Sequence, residues 1–87
     1  MKAFFIYHPQ SEHARQVEEY VHNFSQVDSH TIGLQSLETK EGAETAKLYD
    51  IVSYPALLIV DDRAQLLKVW QGDQLPLMNE VAGYLVA

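Results

Sequence analysis

The chain has no cysteine in its 87 residues. Disulfides, thiol catalysis and cysteine-based metal or iron–sulfur sites are therefore excluded. The same absence removes any redox argument about compartment. Basic residues are scarce, with 6 Lys and Arg against 12 Asp and Glu and a net charge of −6. A chain of that sign is not suited to a polyanionic backbone, so nucleic acid is not expected as a partner. No apolar run approaches bilayer length, so no membrane partner is expected either. The start, Met1-Lys2-Ala3-Phe4-Phe5-Ile6, reaches His8 and Pro9 too soon for a signal peptide. The cytoplasm is the expected location. The acids are scattered rather than blocked, and there is no repeat or low-complexity segment. The length fits one domain over residues 1–87 with one modest core.

One of the 3 prolines organises what is present. In Val52-Ser53-Tyr54-Pro55-Ala56-Leu57-Leu58-Ile59-Val60, the run from Ala56 is apolar at every position. Such a strand is covered on both faces. Proline cannot donate to a ladder, so Pro55 marks the strand's start.

Ala3 to Tyr7 is a second run of this kind. His8-Pro9-Gln10 ends it, and Ser11 stands where a helix N-cap belongs. Ala14, Val17, Val21 and Phe24 then form one apolar stripe at helical spacing. Thr31 to Leu37 reads as an outer strand. Thr39 is placed to cap a short helix through Tyr49, with Glu41 in its first turn and Ala43, Ala46 and Tyr49 as its apolar positions. Asp61 to Gln65 is a polar hairpin loop, and Leu66 to Trp70 the return strand. Gly72-Asp73 breaks that strand. Pro76 fits the first turn of a last helix. The order β-α-β-α-β-β-α predicts an α/β fold: a four-stranded mixed sheet with helices on both faces.

This order, the stretch Tyr49 to Val60 around Pro55, and Gly72 after the last strand together resemble the thioredoxin superfamily in its short, glutaredoxin-sized form. The resemblance covers nearly the whole chain. It implies a cis Tyr54–Pro55 bond beside a substrate groove. It also implies a Cys-x-x-Cys motif at the start of the first helix, where this chain reads Ser11-Glu12-His13-Ala14. Neither Ser11 nor Ala14 can take part in thiol–disulfide exchange. The resemblance therefore predicts a redox-inactive, CxxC-less domain.

Ser11 reads as a helix cap or as a nucleophile. The second role needs a base within reach. His8, His13, His22 and His30 lack metal-site spacing. Glu18 and His22 lie four apart on a helix, which suits either a metal or solvent. No metal and no cofactor is expected. His8, His13 and Arg15 gather cationic character at a helix start, opposed by Glu12, which suits an anion. Tyr54 precedes the proline, and the resemblance implies that its main chain borders the groove. The candidate ligand site is thus His8, Ser11, Glu12, His13, Ala14, Tyr54 and Pro55.

Three functions follow from these readings. One is binding or scaffolding without catalysis, with a protein or peptide partner. Another is a glutathione-binding, transferase-like activity through Ser11, with weak glutathione or anion binding. The third is self-association through the outer strand or through the edge beyond Trp70.

Overall fold

The computed structural model describes residues 1–86. Its elements run β1 (Lys2–Tyr7), α1 (Ala14–Val27), β2 (Ile32–Ser36), α2 (Lys40–Leu48), β3 (Ala56–Val60), β4 (Leu66–Gln71) and α3 (Met78–Leu85). The sheet order is β2-β1-β3-β4. β2 lies parallel to β1, with Phe5 opposite Leu34. β1 and β3 are antiparallel, with Phe4 opposite Leu58. β3 and β4 form an antiparallel hairpin, with Leu57 opposite Trp70. This is the α/β mixed sheet that the sequence pattern predicts.

The sheet divides the core in two. Strand side chains alternate between faces, so Ala3, Phe5 and Tyr7 of β1 and Leu57 and Ile59 of β3 pack against α1 and α3. Phe4, Ile6, Leu58 and Val60 pack on the other side with Ala46 of α2 and Ile51. Every residue of β3 is buried, which accounts for its unbroken apolar sequence.

Local chemistry moves two boundaries and the buried face of one helix. α1 begins at Ala14, so Ser11 is not its cap. Residues 8–11 form a turn instead, in which the Ser11 N–H donates to the His8 carbonyl at 3.1 Å. Pro76 lies ahead of α3 rather than in its first turn. Leu77 stands at the cap position, and its N–H donates to the Glu80 carboxylate at 3.3 Å. In α2 the buried positions are Gly42 and Ala46, four apart, while Ala43 and Leu48 face solvent. Gly42 takes this place because it abuts β2: a Cβ there would lie 1.9 Å from the Ser36 carbonyl oxygen. The stripe on α1 includes Tyr20, whose hydroxyl donates to the Pro76 carbonyl at 2.9 Å. Burial, with help from the Glu80 charge, pushes the Tyr20 phenol up to about 12.

Candidate functional site

The end of β1 and the approach to β3 meet at one corner of the sheet, because the two strands are neighbours. His8 follows β1 directly. Its ring lies edge-on to Tyr54, with centroids 5.4 Å apart, and 6.2 Å from the ring of His13. The chain doubles back through Pro9 to Glu12, so that the His8 N–H donates to His13 Nε2 at 3.2 Å. A nitrogen that accepts this bond carries no proton, so the His13 ring is neutral with its hydrogen on Nδ1. Burial, and then the neighbouring His8, hold His13 below its ordinary value, while Asp73 pulls the other way.

The remaining residues of the predicted site divide in two. Ser11 is half-buried beside His8, and its hydroxyl donates to the His8 carbonyl at 2.6 Å. Its proton is spent on a carbonyl rather than aimed at a base, and the base nitrogen of His13 is occupied by the His8 N–H. A nucleophilic serine needs the opposite arrangement. Glu12 is exposed. Ala14 is buried in the core beneath α1, and Pro55 is fully buried, so neither side chain faces a ligand. Arg15, read as part of the cationic locality, turns along the helix to Glu19 at 3.1 Å. At neutral pH the corner is therefore less cationic than its sequence suggests.

The segment before β3 is held from the far strand. Gln71, the last residue of β4, accepts the N–H groups of both Val52 and Ser53 on its side-chain oxygen, each at 3.1 Å. The Gly72 N–H donates to the Pro55 carbonyl at 3.0 Å, with Gly72 at φ +99°. The Tyr54–Pro55 peptide is cis. The Tyr54 hydroxyl donates to the Ile51 carbonyl at 3.1 Å. Among the described residues, no hydrogen bond engages the main-chain N–H or C=O of Tyr54. The sequence gives no sign of Gln71, since an exposed glutamine at the end of an edge strand has no distinguishing neighbour pattern.

Beside the corner runs an open groove of about 490 Å³ between α1 and the chain leading into α3, lined by Gln16, Glu19, Tyr20, Asp73 and Pro76 among others. Gln16 bridges its walls by donating to the Asp73 carbonyl at 3.2 Å. No group of three or more His, Asp or Glu side chains among the described residues is placed to hold a metal ion. No helix among them is long and apolar enough to cross a membrane.

No family model matches the chain, and no curated protein matches it. Among solved structures it is similar to thioredoxin 1 from the thermophilic eubacterium Thermosipho africanus TCF52B. The TM-score is 0.67 at 12% identity, over 99% of this chain and 91% of that one. The chain has the thioredoxin-like fold, and it carries that fold with no cysteine anywhere in its sequence.

Proposed function

We propose that this thioredoxin-like chain is a redox-inactive binding module, and that an extended peptide is its ligand at the corner of His8, Ser11, His13 and Tyr54. One observation carries the reading: among the described residues, no hydrogen bond engages the main-chain donor or acceptor of Tyr54. A peptide that adds beside such a segment gains main-chain hydrogen bonds, and needs no cysteine to do so. The aromatic rings of His8 and Tyr54 offer its side chains an apolar wall. Glu12 is a rim residue of this site, while Ala14 and Pro55 support it from beneath. Glutathione, a short extended peptide, binds in the same place weakly and without reaction, the most that a glutaredoxin-like ancestry leaves. Anions bind only on the acid side, since His13 charges below its ordinary 6.5.

The test is a backbone NMR titration of the whole chain with short blocked peptides and with glutathione, at pH values on either side of 6.5. Shift changes clustered at His8, His13 and 52–54 are expected. Changes clustered on β2, or none at millimolar ligand, would sink the proposal.

A further inference from the structure

The two edges of the sheet are finished differently. At the β4 edge the β3–β4 register is irregular between Ile59 and Val60, Lys68 sits mid-strand, and the charged turn Asp61-Asp62-Arg63 precedes the strand. Irregularities and edge lysines keep a further strand from adding. β2 has none of these. The three longest stretches without Asp, Glu, Lys or Arg are 3–11, 29–37 and 51–60. The first covers β1 from Ala3 onward and the last contains β3, the two central strands. The middle one contains β2, which lies at the edge. β2 thus has an internal strand's composition in an edge position.

Its free groups can be named. The Leu37 N–H donates to the Tyr7 carbonyl at 2.9 Å, so position 37 faces β1. Main-chain direction alternates along a strand, so Gly33 and Gln35 also face β1. The main-chain groups of Ile32, Leu34 and Ser36 then point outward, and the Ser36 carbonyl is already used by the Thr39 N–H. Gly33 is exposed and Leu34 is 43% exposed, so the middle of the strand is uncovered. The same strand carries Gln35 Oε1, a buried side-chain acceptor with no partner among the described residues.

We infer that β2 pairs antiparallel with β2 of a second copy of this chain, about a two-fold axis at Leu34, joining the two sheets into one. In this register the Leu34 N–H and C=O of each copy bond those of the other, and Ile32 stands opposite Ser36. The two Leu34 side chains meet on the face that α1 covers and shield each other from water. Gln35 falls opposite Gly33, where no side chain obstructs it. Two copies that each carry −6 repel, and an uncharged strip is where they can approach at least cost. The contact is short and falls below the roughly 1,000 Å² of a stable interface, so the dimer is weak and concentration-dependent. The pairing is independent of the peptide-binding corner.

Sedimentation equilibrium of the whole chain from about 10 μM to about 1 mM brackets an association of this strength. A shift from monomer to dimer is expected across that range. Over the same range, NMR hydrogen exchange at the Leu34 N–H slows while exchange at Gly33 and Gln35 does not change. Leu34→Lys sets two ammonium groups opposite each other and weakens association at least about tenfold. Leu67→Lys, on the β4 edge, leaves association unaltered. A chain that stays monomeric throughout overturns self-pairing and leaves the strand to a segment of some other chain. A dimer indifferent to Leu34→Lys, or broken equally by Leu67→Lys, overturns it too. So does exchange at Leu34 that ignores concentration, a result that does not depend on any variant folding.

Discussion

The N-termini of α1 and α2 face the same physical problem and are finished in opposite ways. Each helix start exposes N–H groups that no turn of its own satisfies. At α2, Thr39 is extended and its hydroxyl oxygen accepts the Gly42 N–H at 3.0 Å. The same hydroxyl donates to the Ser36 carbonyl at 2.8 Å, Glu41 lies in the first turn and Lys47 in the last. At α1 the cap position is His13, in a helical conformation, with no side-chain cap bond and no acid in the first turn. One end is completed by the chain itself. The other has no side-chain cap, and its cap residue His13 stands next to His8, which in turn meets Tyr54. Stability is concentrated at the start of α2, and withheld at the start of α1, where we propose that a ligand binds.

The sharpest way to break this contrast is Gly42→Ala. The new Cβ would fall 1.9 Å from a backbone oxygen, so β2 and α2 must separate. Overpacking of this severity costs about 3 kcal/mol, read as a lowered midpoint in urea denaturation. Next is Thr39→Ala, which removes a working cap and costs about 1 kcal/mol in the same titration. If the loss were negligible, the two helix starts would be equivalent and the contrast would fail. His13→Ala sharpens it from the other side. His13 caps nothing, so stability changes by less than about 0.5 kcal/mol, while peptide shifts at the corner diminish. A loss as large as that of Thr39→Ala would make His13 a structural cap rather than a binding residue.

The smallest effect is one of pH. His13 is held below 6.5 in the folded chain, chiefly by burial and then by His8. The unfolded chain therefore takes up the proton first as pH falls. Its contribution is fully present above 6.5 and is lost as pH drops through the window beneath it. Stability followed against pH should show a shallow decline there, and His13→Ala should remove it. Asp28 adds a later step of the same sign below 3.8, because its carboxylate accepts the His30 N–H and meets the His30 ring.

The fold was more legible than the site, and the reason lies in the kind of signal each leaves. β1 and β3 are covered on both faces, so burial writes itself directly into their composition. Thr39 is a cap in sequence and in structure because capping is local. Ser11 carries the same kind of hydroxyl yet is no cap, since that hydroxyl is spent on the His8 carbonyl. Beyond Ser11, His13 returns to the His8 N–H before α1 begins, and such a contact has no periodicity to read. Tyr20 leaves no separate mark, because Ala14, Val17, Val21 and Phe24 make a continuous stripe without it. His8, His13 and Tyr54 come together at the corner, a grouping that the resemblance implies and spacing does not. Ala14 and Pro55 were grouped with them by position, although their side chains serve the core.

Gln71 has a consequence for selectivity. Its carboxamide oxygen accepts two adjacent N–H groups, so neither is free for another acceptor. If the corner binds a peptide as proposed, the protein holds one of its own acceptors against its recognition segment. A peptide arriving at the corner finds two of the three donors from Val52 to Tyr54 already taken, and only Tyr54 open. Recognition narrows to a single register. A sequence that competes for the other two donors has to evict an internal rival tethered at high effective concentration, so occupancy by the chain itself acts as a filter on what can bind.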